Sequence, residues 1–233
     1  MRNQILNKLR KYGPREFVVR GYQRFRRLAG QRDRYNSNFD KRYNIDTGMV
    51  VPVDELAFGD RQAQGHAKEH NPSPPYAVMA ALKALDKYMG GFGASGFVDF
   101  GCGAGRAMII AAEAGFQNII GIELSRKLIG ICKENIATYA KTNKAAKFVV
   151  LEQDAATYVP EKGSDVFFFY VPFSRDVYKK AIANIALSLE KNPRTVYLLD
   201  SAWSNMDTEV RDSKYEYIGQ MEGINLYKLS ATA

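Results

Sequence analysis

Histidine, cysteine and long apolar runs are what this chain has least of. Two cysteines, Cys102 and Cys132, in 233 residues cannot build a disulfide framework or a cysteine metal cluster. Two histidines, His66 and His70, do not make a zinc site without further ligands. No apolar run reaches the roughly 20 residues that a membrane-spanning helix needs. The N-terminal stretch also lacks the apolar centre of a secretory signal. These absences predict a cytoplasmic protein without a metal centre. What the chain does have is 46% hydrophobic and 12% aromatic residues, enough to bury the core of one domain that carries an appendage.

The most informative stretch runs from Phe97 to Glu123, FVDFGCGAGRAMIIAAEAGFQNIIGIE. Phe97 to Phe100 is a short apolar run bounded by glycines, with the length and composition of a buried strand. Gly101, Gly103 and Gly105 follow at alternate positions. From Arg106 the pattern turns helical, with Ala107, Ile110, Ala111 and Ala114 at three- and four-residue spacing until Gly115 ends it. A second apolar run, Ile119 to Ile122, stops at Glu123. Strand, glycine turn, helix, strand and acid make one βαβ unit. In such a unit glycines let a ligand approach the backbone, and an acid closing the second strand can take both hydroxyls of a ribose. A nucleoside-containing cofactor fits. A dinucleotide site uses G-x-G-x-x-G beside a pyrophosphate. Here the spacing is G-x-G-x-G, preceded by Asp99, which repels a phosphate and suits a ligand carrying an ammonium and a sulfonium.

The pattern D-F-G-C-G-A-G with Glu123 after it resembles motif I and the acidic ribose-binding end of class I S-adenosylmethionine-dependent methyltransferases. That resemblance implies S-adenosyl-L-methionine as cofactor and a doubly wound, mostly parallel seven-strand α/β sheet. It implies Asp99 near the methionine amine, Gly101, Cys102, Gly103 and Gly105 as the floor, and Glu123 with Leu124 at the ribose.

Beyond Glu123 the alternation continues. Ser125 caps a predicted helix to about Lys141 with Leu128, Ile131, Ile136 and Tyr139 on its buried side. Phe148 to Leu151 is a third strand, followed by Asp154 and Ala155. In the family an acid just past this strand accepts the adenine amino group, and Asp154 fits by position; its alternative role is to cap a short turn. Asp165 to Tyr170 reads as a central strand buried on both faces. A helix to about Lys191, a strand from Thr195 to Leu199 ending in Asp200, and a hairpin over 215–229 complete the seven-strand order. The resemblance covers residues 72–229.

Where the fourth strand ends, enzymes that methylate base or amide nitrogens carry N/D-P-P-Y/F. This chain has Tyr170-Val171-Pro172-Phe173, without the polar first residue. The departure argues against an adenine or glutamine amide target. Tyr170, Phe173, Tyr76 and His70 are left to shape the acceptor site, with Tyr170 also placed at the cofactor and His70 as a candidate base for a hydroxyl acceptor. Phe173 serves equally as a core aromatic or as a substrate wall. The overall layout is similar to bacterial methyltransferases of unassigned substrate, which carry N-P-F here, and to membrane-associated protein-lysine methyltransferases.

Charge is uneven. Residues 1–42 hold 13 Lys/Arg against three acids, a net of +10, so the remainder contributes about −2 of the overall +8. Ile5, Leu9 and Tyr12 mark one helical face and Val18, Tyr22, Phe25 and Ala29 another, with Arg20, Arg24 and Arg27 elsewhere on the second helix. Such an arm can lie on anionic lipid, hold nucleic-acid phosphates, cover an acidic partner, or pack on its own domain with its arginines solvated. Residues 31–75 are polar and irregular, and are expected to wrap over the mouth of the domain. The prolines at 72, 74 and 75 preclude a helix until Tyr76. The expected organisation is therefore a basic helical extension over 1–45, an irregular covering segment over 46–75, and a cofactor-binding domain over 76–233. The expected activity is methyl transfer to an amine, of a protein lysine or a small molecule. Nucleic-acid methylation through the arm and a non-catalytic cofactor-binding module are the alternatives. Peripheral attachment to a membrane would come through the arm.

Overall fold

The computed structural model describes residue 30 and residues 32–56, 69–170, 173–202, 210 and 214–230. The paired faces expected within residues 1–29, the strand-end residues Val171 and Pro172, and His66 lie outside the described residues. The chain divides into two compact units, Met1–Phe39 and Asp40–Ala233.

Residues 32–43 are helical, within the span of the helical extension expected over 1–45, although the stretch from residue 31 also reads as polar and irregular. Tyr35, Phe39 and Tyr43 recur at four-residue spacing, a helical stripe that the surrounding polar residues obscure. Among the described residues of the second unit, four longer helices alternate with seven strands. They are α1 (Pro75–Met89), β1 (Gly96–Phe100), α2 (Arg106–Ala114), β2 (Asn118–Glu123), α3 (Arg126–Ala140), β3 (Lys147–Glu152), β4 (Ser164–Phe169), α4 (Arg175–Lys191), β5 (Thr195–Ser201), β6 (Glu216–Met221) and β7 (Ile224–Ser230). α1 begins at Pro75 itself: proline is accommodated at the first helical position, where its missing N–H has no partner to lose.

The strands form one sheet in the order β3-β2-β1-β4-β5-β7-β6. β1 through β5 are parallel to one another, and β7 runs antiparallel between β5 and β6. The hairpin between β6 and β7 turns at Glu222 and Gly223, with φ of 51° and 80°, the paired left-handed conformation that matches strand twist. The central strands are buried on both faces, as their unbroken apolar sequence requires. Val98, Phe100, Phe167, Phe169, Val196 and Leu198 pack one face of the sheet against Val177, Tyr178, Ala181, Ile182 and Ile185 of α4. Phe100 and Phe169 stack with centroids 4.5 Å apart across β1 and β4. The chain order reverses at β1, which pairs β2 on one side and β4 on the other. In an open α/β sheet that is where ligands bind, beyond the carboxyl ends of the strands.

One helical face differs from expectation. α3 buries Leu128, Ile129, Cys132, Asn135 and Tyr139, whereas Ile131 and Ile136 are only partly covered. A buried asparagine occupies a position that hydrophobic counting passes over, and its hydrogen bonds set the rotation of the helix.

Candidate functional site

The ends of β1 and β2 are tied together by the glycine turn. The N–H groups of Gly101 and Cys102 donate to the Ile122 carbonyl at 2.8 and 3.0 Å, and Gly105 N–H donates to Cys102 O at 2.9 Å. Gly103 and Gly105 have φ of 53° and 87°, a region that side chains bearing a Cβ rarely enter. Space matters as much as angle. A Cβ at Gly103 would overlap the His70 imidazole, 2.5 Å from Nδ1, and one at Gly105 would sit 2.8 Å from Cys132 Sγ.

Glu123, the last residue of β2, turns back into this loop. Its Oε2 accepts from Gly103 N–H at 3.0 Å, and its Oε1 accepts from the N–H groups of Leu124 and Ser125 at 2.8 Å each. Ser125 caps α3, its hydroxyl accepting from Leu128 N–H at 3.4 Å. Burial raises the Glu123 pKa, while the three backbone donors pull it the other way.

Asp99 lies in the middle of the sheet, opposite Gly121 of β2 and Phe168 of β4, and is 3% exposed. Burial, and then the charge of Glu123, push it up from 3.8 to about 8. Among the described residues neither acid forms an ion pair. Two desolvated carboxyl groups with no cationic side chain paired to them resist ionising, and a cationic ligand favours their charged forms where an anionic one would disfavour them further.

Cys102 and Cys132 meet behind the turn. A hydrogen bond with Cys132, then burial, hold the Cys102 thiol well above its ordinary pKa, so it stays protonated and behaves as a small packing group. Asp154 follows β3, and its Oδ1 accepts from Ala156 N–H at 2.8 Å. The turn-capping role therefore occupies one oxygen of Asp154 and leaves Oδ2 for a further donor. Ala155 beside it is buried. Tyr170 follows β4 on the strand face that carries Asp99 and Phe168, its ring 6.3 Å from Phe168, and burial raises its hydroxyl pKa. Phe173 meets Phe169 edge-on at 6.1 Å and is only partly covered, so it both packs on the core and offers a face.

Residues 40–56 and 69–75 form a strap over the turn. Val51 and His70 join in an antiparallel bridge, with Val51 N–H to His70 O at 3.1 Å and His70 N–H to Val51 O at 2.9 Å. Two residues missed by sequence reading pin the strap. Arg106, the first residue of α2, reaches Asp40 at 3.3 Å, Thr47 Oγ1 at 2.8 Å and the Ser73 carbonyl at 3.3 Å. Asn135 of α3 donates to Asp46 O at 2.8 Å and Ala104 O at 3.0 Å, and accepts from Asp46 N–H at 2.9 Å. The sequence signal for Asn135 was a polar residue in register with Leu128, Cys132 and Tyr139. Arg106 had none beyond its place after the last glycine.

His70 is carried by the strap onto Gly103. Its Nε2 is buried and has no hydrogen-bond partner among the described residues. Burial, and then the charge of Arg106, lower its pKa to about 4, so the ring is neutral at physiological pH. Among the described residues no three His, Cys, Asp or Glu side chains are grouped to hold a metal, and no helix is long and apolar enough to cross a membrane.

No protein-family model matches the sequence, and no curated protein matches it. Solved structures do match the fold. Magnesium protoporphyrin IX methyltransferase from Synechocystis PCC 6803, crystallised with SAM, aligns at a TM-score of 0.52 and 16% identity over 88% of this chain and 96% of that one. The ribosomal protein L11 methylase from Lactobacillus delbrueckii subsp. bulgaricus aligns at 0.50 and 13% identity over 81% and 84%. The T. thermophilus 16S rRNA N2 G1207 methyltransferase, in complex with AdoMet and guanosine, aligns at 0.50 and 16% identity over 70% of this chain and 47% of that one. With its strand order and antiparallel closing hairpin, this chain has the seven-strand Rossmann-like fold of the class I methyltransferases.

Proposed function

We propose that the protein binds S-adenosyl-L-methionine and transfers its methyl group to an amine. The observation that carries this reading is the pairing of two desolvated acids, the buried Asp99 and the half-buried Glu123, at the carboxyl ends of β1 and β2. An anionic dinucleotide would add phosphates to that acid pair; a cofactor bearing an ammonium and a sulfonium relieves it. Glu123 is held ready for a ribose hydroxyl, Asp154 Oδ2 for the adenine amino group, and Asp99 for the ammonium. Three structural neighbours that are methyltransferases, two of them crystallised with this cofactor, support the same reading.

The cofactor supplies an electrophilic methyl group, and the chain's own residues orient it and exclude water. Tyr170 and the partly covered Phe173 offer an aromatic wall beside the acidic site. Neither candidate base is poised to act: His70 is neutral down to a pKa of about 4, too weak to deprotonate a hydroxyl, and burial keeps Tyr170 protonated. An amine arriving unprotonated needs no such group, which favours a lysine or small-molecule amine. The acceptors named for the neighbours are a porphyrin, a ribosomal protein and an rRNA guanosine, so the fold alone does not choose among them. Nucleic acid is the second reading, favoured by the net +10 of residues 1–42; a steep fall of RNA binding with salt would support it.

Calorimetric titration with S-adenosylmethionine and, separately, with NAD tests the cofactor. Saturable binding of the first and none of the second is expected. Binding of NAD, or of neither, overturns the reading.

A further inference from the structure

The amino-acid end of the proposed cofactor carries a carboxylate as well as an ammonium, and a carboxylate needs donors. The glycine turn, where such a group would lie, has few to give. Gly101 and Cys102 N–H are bonded to Ile122 O, and Gly105 N–H to Cys102 O. Gly103 N–H is bonded to Glu123 Oε2. The guanidinium of Arg106 is engaged by Asp40, Thr47 and Ser73. Asp99 and Glu123 are acids. Against this background one polar atom stands out: Nε2 of His70, buried without a partner among the described residues, on an imidazole lying against Gly103. A buried ring nitrogen without a partner carries an uncompensated desolvation cost, and a ligand that satisfies it recovers that cost.

Resting on the reading of the site as one for S-adenosylmethionine, we propose that His70 is a cofactor-positioning residue whose Nε2–H donates to the carboxylate of the cofactor's amino-acid end. The strap is then part of the binding site and not a passive cover. Its backbone bridge to Val51 fixes where the ring sits, and the Arg106 and Asn135 contacts fix where the bridge sits. The glycine at 103 has a double reason: its own φ, and the room the imidazole occupies. The neutral ring carries one proton, on Nε2 in this assignment, and donates it without bringing a charge that would compete with the ammonium for Asp99.

The test compares two ligands that differ at the amino-acid end. S-adenosylhomocysteine has it, and 5′-methylthioadenosine shares the adenine, ribose and sulfur but lacks it. Titrations are made with the full chain, with His70→Ala and with His70→Gln, the amide of which keeps a donor. His70→Ala should weaken S-adenosylhomocysteine roughly 10- to 100-fold, the effect of deleting one hydrogen bond to a charged group, and leave 5′-methylthioadenosine unchanged. His70→Gln should recover part of the loss. The bridge to Val51 uses backbone atoms and survives both changes. Equal losses for both ligands would make His70 merely structural, and no loss for either would leave it without a role; both outcomes overturn the proposal. A wild-type chain that binds neither ligand fails the cofactor reading as well, so the two failures are distinguishable. A folding defect in His70→Ala leaves His70→Gln against wild type as the deciding pair: without a ligand-selective difference between them, the proposal is overturned.

Discussion

Asp99→Asn should make this protein more stable while spoiling its cofactor site, and the gain should grow with pH. Asp99 is buried in the central sheet and its pKa is raised from 3.8 to about 8 by burial and by Glu123. Below about pH 4 the folded and unfolded chains both hold the proton, and the residue is neutral in the balance. Between 4 and 8 the folded chain keeps a proton that the unfolded chain has released. Stability is therefore lost as pH rises through that window, at up to ~1.4 kcal/mol per pH unit. By pH 7 the accumulated penalty is on the order of 4 kcal/mol, and above pH 8 it levels off. Asparagine has the same shape and no ionisation, so it removes the slope. Its amide adds an offset of its own, through whatever hydrogen bonds it makes, but that offset does not depend on pH. The assay is urea denaturation of both proteins at several pH values from 5 to 8. The difference in unfolding free energy should widen in favour of the variant, by about 3.6 kcal/mol across the range if the full shift operates. Parallel curves would refute the reasoning, because they would mean that Asp99 ionises in the folded chain as it does in the unfolded one.

Other expectations follow from the same geometry. If Asp99 pairs as a carboxylate with the cofactor's ammonium, binding at pH 7 should release about 0.9 proton from a group with a pKa near 8; calorimetry in buffers of different ionisation enthalpy measures this, and zero release contradicts the pairing. Affinity should peak near pH 8, since an α-amino group itself loses its proton around there. Glu123→Ala removes three backbone hydrogen bonds together with the ribose acceptor, so S-adenosylmethionine affinity should fall at least about 100-fold; undiminished affinity would place the cofactor elsewhere. Asn135→Ala strands Asp46 and Ala104 and should cost about 2–3 kcal/mol in urea unfolding, with faster proteolysis within 40–56 if the strap loosens. Deleting residues 1–39 should leave cofactor binding intact and lower retention on heparin, and unchanged retention would deny the arm a role in polyanion binding.

The elements with strong periodicity were legible in advance. The Asp99 strand, the glycine turn, the helix from Arg106 to Ala114 and the strand ending at Glu123 each carry their own local signal, and the structure differs by no more than a residue at their ends. Ser125 was readable as a cap because its chemistry is local. What could not be read depended on contacts between segments far apart in sequence. Asn135 looks like a surface residue until Asp46 and Ala104 are brought to it. The helix over 32–43 is only faintly marked within the extension expected over 1–45, because Tyr35, Phe39 and Tyr43 alone form its stripe among polar neighbours. His70 was legible as a candidate but not its place on Gly103, since a histidine in a proline-rich segment carries no indication of what lies beneath it. Asp154 divides: its position was evident, but the use of one oxygen on Ala156 depends on how the turn after β3 folds.

The anchoring of Glu123 reaches beyond its own position. A carboxylate offers about four lone-pair directions, and here three are taken by Gly103, Leu124 and Ser125. The orientation of the group is thus settled when the chain folds, and a ligand need not freeze it on arrival. The same saturation makes it a selective host. A sugar diol presents two donors to an acid that has one direction open, so the two hydroxyls are not equivalent to this protein. Of the 2′-deoxy and 3′-deoxy forms of a bound nucleoside, one should suffer heavily and the other hardly at all, and the asymmetry would report which hydroxyl faces Oε2.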